Sequence, residues 1–266
     1  MNGRPYVTAH YLADLRTRLT EVDWAIVADV RQMRLASARD LQALQQLRAP
    51  LQVRSFRRRL QQLHELGVLA RLERTVGGQR AGSAGFVYRL GSAGQRLLAN
   101  EHGGAIQRPW TPRPAWLRHA LAASHLYVVL RLAEAEQRLR LLDYQPEPLA
   151  WRRFQAVGGQ AVTLKPDGFA RYELPDALVS SFLEVDCASE SPATIARKLG
   201  VYIACWQSGQ ALDSSGVFPE TLWLVPDQRR RAVLQRVIDQ HPAEARRLFR
   251  VGCYDQARQL FTEPPP

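Results

Sequence analysis

The sequence predicts an α+β chain of two domains: a compact helical domain closed by a β-hairpin, then an α/β domain built on a mixed sheet. Three observations predict it. Charge is divided unevenly, since residues 1–113 hold 18 Arg, no Lys and 8 acids (net +10), whereas residues 114–266 hold 16 Arg, 2 Lys and 17 acids (net +1). Residues 20–100 read as three helices with apolar positions at helical spacing, then two short β runs and a closing helix. The remainder alternates helical and strand patterns, as a layered α/β domain does. A length of 266 residues accommodates two such domains, and 46% hydrophobic content supplies their cores.

The first helix spans 20–33, with Val22, Ile26, Val27, Val30 and Met33 on one side, Thr20 as N-cap and Asp23 as its capping partner. A second starts at Ser37. A third covers 53–69: Phe56, Leu60, Leu63 and Leu66 form one apolar stripe, Arg54, Arg57, Arg58 and Arg59 lie mostly off it, and Gly67 ends it. LARLERTV and GFVYRL then flank a Gly/Ser/Arg-rich turn carrying Arg80, the signature of a two-stranded hairpin, and GSAGQRLLAN reads as a closing helix.

RRLQQLHELGVLARL followed by YRLGSAGQRLL resembles the winged helix-turn-helix family over residues 15–100. The resemblance implies a third helix set into the major groove of double-stranded DNA, with Arg54, Ser55, Arg57 and Arg58 as groove contacts, Arg59 on backbone phosphate, and Arg80 at phosphate or minor groove. The concentrated positive charge fits a polyanion partner on electrostatic grounds. Two blander readings stand beside it: arginines that only solvate an exposed helix face, and a winged helix that binds protein.

Residues 101–114 are rich in Gly and Pro and read as a linker, so the expected domains are 1–100 and 115–262. After it come a long helix (114–139), a strand in LRLLDYQPE, and two strands, AVTLKPDGFARYEL and ALVSSFLEVDCAS, antiparallel across ELPDA. A helix over 191–207 follows, with Ser191 as N-cap and Pro192 in its first turn. ETLWLVPD (strand), QRRRAVLQRVIDQH (helix) and RLFRVGCYD (strand) complete an αβββαβαβ order.

Chemistry concentrates in this second part. Asp167 stands at one predicted strand, Glu184 and Asp186 at the next, and Lys198 and Tyr202 four apart on the following helix. Carboxylates at the ends of neighbouring strands suit a hard cation such as Mg²⁺ or Mn²⁺, with Asp167 and Glu184 as ligands, Asp186 as an added or outer-shell ligand, and Lys198 facing a phosphate. Of 36 basic residues only Lys165 and Lys198 are lysines, and both fall beside these acids in sequence. Singly, each residue has a plainer role: an Asp before Gly as a turn residue, an acid pair as a solvated rim, Tyr202 and Trp206 as core.

The arrangement resembles the PD-(D/E)xK nuclease superfamily, whose core is αβββαβ, giving the second domain a restriction-endonuclease-like expectation. Pro166 and Asp167 match its "PD" and Glu184 its acid, while Asp186 stands where that motif has Lys; Lys198 is then a migrated lysine. Lys198 with Tyr202 resembles the Q-x-x-x-Y element of RecB-like nucleases, with Lys for Gln. The whole chain resembles the replication-relaxation family of plasmid and mobile-element proteins, which implies a role in DNA replication or mobilisation, with a homodimer or other replication proteins as further partners.

Three functions follow as expectations: a Mg²⁺-dependent endonuclease or nickase targeted by the winged helix, a non-catalytic replication initiator or repressor, and a relaxase-like transferase using Tyr202 as nucleophile. His119 and His125 are six apart, not the spacing of a helical metal pair, and Gly-rich phosphate loops, G-x-S-x-G and HExxH are absent. Cys187, Cys205 and Cys253 show neither zinc nor disulfide spacing. No apolar run reaches the roughly 20 residues of a membrane span, and the expected compartment is the cytoplasm.

Overall fold

The computed structural model describes residues 7–72, 85–102, 113–212 and 216–264. Arg80 and most of the 101–114 segment lie outside them. The chain is mixed α+β and divides into two compact units, 1–128 and 129–266.

The first unit opens with α1 (Ala9–Arg18), capped by Thr8 and absent from the sequence expectation. In α2 (Glu21–Met33) the expected capping box forms: Thr20 accepts from the Asp23 N–H, and Asp23 accepts from the Thr20 N–H at 2.8 Å. β1 (Ala36–Ser37) leads into α3 (Ala38–Arg48), which Ser37 caps. Arg48 reaches back to Asp29 of α2 with two 2.6 Å hydrogen bonds. α4 (Val53–Glu65) buries Phe56, Leu60 and Leu63 and ends at Gly67, whose φ of 68° suits a residue without Cβ.

β2 (Leu69–Leu72) and β3 (Val87–Leu90) pair antiparallel, and β1 adds to β3, giving a sheet ordered β1-β3-β2. α5 (Ser92–His102) starts tight against this sheet: a Cβ at Gly94 would lie 2.3 Å from the Val68 carbonyl oxygen, so only glycine permits the approach.

α6 (Pro114–Ala135) runs through the division between units. Its first half belongs with the N-terminal unit. Leu117 is buried among Leu35, Leu72 and Val87, Ser124 Oγ donates to the Met33 carbonyl at 2.9 Å, and His125 Nδ1 lies 2.8 Å from Asp40. The contact boundary thus falls at 128/129, beyond the composition-based linker, because apolar residues on this helix complete the N-terminal core.

The second unit carries a five-stranded mixed sheet ordered β10-β9-β8-β7-β4. β4 (Arg140–Pro146), β7 (Gly168–Leu174) and β8 (Ala177–Val185) are successively antiparallel; β9 (Glu220–Val225) and β10 (Phe249–Cys253) extend the sheet parallel to β8. The run 161–174, expected as one strand, is two. β6 (Ala161–Leu164) pairs with β5 (Arg152–Gln155) in a separate hairpin, and Lys165–Asp167 breaks the chain before β7. With that hairpin set aside, the order from α6 onward is the expected αβββαβαβ.

One sheet face is covered by α7 (Pro192–Ser208), capped by Ser191 as expected, and by α8 (Gln228–Ile238). Phe169, Phe182, Leu199, Tyr202, Trp223 and Phe249 form the centre of this core. α9 (Ala243–Arg246) precedes β10, and α10 (Ala257–Thr262) follows it, placing Phe261 edge-on to Tyr172 on the other face. Among the described residues no helix is long and apolar enough to cross a membrane.

Candidate functional site

The site forms where β7 begins and β8 ends. Asp167 is the residue before β7. Its N–H donates to the Leu183 carbonyl at 3.1 Å, and its Oδ2 accepts from the Val185 N–H at 2.8 Å. The carboxylate is thus pinned against the last turn of β8's ladder, beside Glu184. Glu184 is fully buried, with Trp223 of β9 as its register partner.

α7 supplies the counter-groups. Its spacing puts Lys198 and Tyr202 on one face, one turn apart. Lys198 Nζ lies 2.5 Å from Glu184 Oε2, and the Tyr202 hydroxyl donates to Glu184 Oε1 at 2.5 Å. The Trp223 ring lies 5.1 Å from the same ammonium, within cation–π range.

Burial pushes Glu184 up from its ordinary value to about 8, against the pull of the Lys198 charge, and the Asp167 charge adds to the rise. Burial works to strip the proton from Lys198, but the charges of Glu184 and Asp167 outweigh it and hold the ammonium above its usual range. Burial and Glu184 also raise Tyr202 well above an ordinary phenol. A buried hydroxyl that donates to a carboxylate is the reverse of an activated nucleophile.

Asp186 goes elsewhere. β8 stops at Val185, so the strand alternation that would align residue 186 with Glu184 does not extend to it. Its Oδ2 accepts from Arg230 Nε of α8 at 2.7 Å and its Oδ1 from the Ala188 N–H at 2.6 Å. Among the described residues no three His, Cys, Asp or Glu side chains group as a metal site. Arg230 was not anticipated; its only sequence trace is an arginine run, 229–231, indistinguishable from a solvated helix face. Lys165 stands over the Trp151 ring at 4.9 Å rather than in this cluster.

In the first unit, Arg54, Ser55, Arg57 and Arg58 are exposed on α4, opposite the stripe that packs inward. Arg59 is engaged within the fold: its Nε lies 3.3 Å from Asp23, and it donates to Thr20 at 3.3 Å, bracing the α2 cap.

The fold and site define a two-unit α+β protein with a buried acid–lysine–tyrosine cluster at the meeting of two antiparallel strands. The chain belongs to the replication-relaxation family, whose family model matches residues 27–221. That membership points to the replication or mobilisation of plasmids and mobile elements. No curated protein and no solved structure matches the chain.

Proposed function

We propose that the protein is a DNA-binding factor of plasmid or mobile-element replication or mobilisation, with a winged-helix N-terminal unit and a PD-(D/E)xK-like C-terminal unit that nicks or cleaves the bound duplex. One observation carries the catalytic part: Asp167 just before β7, Glu184 on β8, and Lys198 and Tyr202 on α7 meet at one end of the sheet. A buried charged cluster contributes little to net stability, so its presence favours a functional role. The winged-helix part rests on the β1-β3-β2 sheet behind α4 and on the exposed arginines of that helix.

The donors fit Mg²⁺ or Mn²⁺ in kind. Asp167 and Glu184 are hard oxygen ligands, and Mg²⁺ needs only one or two carboxylates beside water and phosphate oxygens. Asp186, tied to Arg230, would act from outside that pair. Bound there, the ion would supply phosphate polarisation and a more acidic water. The chain's own residues position and balance charge: Tyr202 fixes the Glu184 carboxyl, and Lys198 places an ammonium where phosphate charge would develop.

A second reading is a DNA-binding initiator or repressor without cleavage. It is favoured by the engagement of Glu184, whose Oε1 accepts from Tyr202 and whose Oε2 is ion-paired with Lys198, and by Asp186 at the motif's lysine position. Supercoiled plasmid incubated with Mg²⁺ or Mn²⁺ separates the two. Nicking or linearisation by the wild type, lost in Asp167→Ala and Glu184→Ala, is the expected result, together with a Mg²⁺-dependent thermal shift absent from Asp167→Ala. Intact duplex binding with no cleavage under either metal would leave the initiator or repressor.

A further inference from the structure

The β5–β6 hairpin has two faces. Phe154 and Leu164 turn inward to the α7 core. Alternation then sends Arg153 and Gln155 outward, opposite their register partners Thr163 and Ala161. Trp151 and Lys165, just outside the paired stretch, continue that outward row and stack on one another. Arg153, Gln155 and Lys165 are exposed. At the tip, Gly158 and Gly159 take φ of 101° and 81°, and Val157 beside them is 90% exposed.

Charge on this element is one-sided. Residues 149–166 include Arg152, Arg153 and Lys165 and no acid, in a half of the chain that is otherwise nearly neutral. Arg152 is used internally, over the Phe169 ring at 5.0 Å and bonded to Gln145 at 2.9 Å. The hairpin is held rather than loose: the Gln210 amide accepts from the Gln155 N–H at 3.1 Å and donates to its carbonyl at 3.3 Å. Beyond Lys165 the chain runs directly into Pro166 and Asp167.

We propose that the β5–β6 hairpin is a second DNA-contacting element, a ribbon laid into a duplex groove beside the Asp167–Glu184 cluster, with Arg153 and Lys165 on phosphates and Val157 inserted at its tip. This rests on the reading that the protein binds DNA. A two-stranded ribbon can lie in either groove, basic side chains on its outer row supply register on the backbone, and proteins that enter the minor groove wedge exposed apolar tips between base steps. Val157, 90% exposed at the end of an acid-free hairpin, lies outside the core.

The test uses the full chain with p-benzoyl-phenylalanine installed singly at Val157, at Ser55 on α4, or at Gln259 on α10 as background, photolysed on a random-sequence duplex. Adducts from Val157 above the Gln259 background are expected. Adducts from Ser55 with none from Val157 would overturn the hairpin proposal and leave DNA binding intact. Adducts from neither would overturn both, and adducts from Val157 alone would keep the hairpin and remove α4. In parallel, Arg153→Ala with Lys165→Ala should lower the slope of log affinity against log salt by about 2, one phosphate contact per residue. An unchanged slope in that folded double variant would count equally against the proposal.

Discussion

At the scale of single residues, the burial of Glu184, only partly offset by Lys198, makes stability depend on pH. The carboxyl is shifted from 4.5 unfolded to about 8 folded. Between those values the folded state holds a proton the unfolded state has lost, so the stability it confers is complete at low pH and drains away as pH rises to about 8. In metal-free buffer, Glu184→Gln should flatten that slope. Lys198→Met should cost about 1–3 kcal/mol near pH 6, where Glu184 can remain protonated, and more near pH 9, approaching the roughly 3–5 kcal/mol of a stranded buried charge. Urea titrations at both pH values check this, and an equal cost at the two would refute the buried-pair account. Of this cluster, the residue types and helix spacing were legible in the sequence. The departure of Asp186 was not, because it depends on β8 ending one residue earlier and on an arginine 44 positions away.

Elements were read best where their ends carry side-chain caps. Thr20 and Ser191 cap the helices expected of them, and Ser37, read only as a helix start, caps α3, since a hydroxyl accepting a backbone N–H is a local interaction that needs no tertiary partner. β5 and the break before β7 were hidden for the opposite reason: RRFQ has little strand pattern of its own, and its pairing with 161–164 is set by the core beneath. α4 shows both sides of this. Its inward stripe followed from spacing, but the tie of Arg59 to Asp23 and Thr20 did not, because both partners lie at the start of another helix far away in sequence. Replacing Arg54, Arg57 and Arg58 together by Ala should therefore spare the fold, weaken duplex binding and reduce the salt slope by about 3, at roughly 0.9 per phosphate. A folded triple variant with wild-type affinity and slope would take α4 off the DNA.

For the molecule as a whole, composition pointed to a boundary at 101–114 and packing places it within α6. Linker composition marks where chain is polar and punctuated, whereas a folding unit ends where its last buried contact lies. A fragment ending at residue 128 keeps Leu117, Ser124 and His125 against the first unit; one ending at residue 102 loses them. The longer fragment should be more stable by at least about 2 kcal/mol, the burial of one leucine, with a higher denaturation midpoint and an unchanged signal from α2–α4. Equal midpoints would return the boundary to the Gly/Pro-rich segment. The near-absence of lysine has a practical corollary at this scale. An amine-acylating reagent has only two lysine side chains to modify, and they differ in kind: Lys165 is exposed on the hairpin beside Trp151, while Lys198 is locked as an ammonium against Glu184 and has no lone pair to offer. Acylation of the first is thus a footprint of whatever covers the hairpin, and acylation of the second is a chemical clock for the opening of α7.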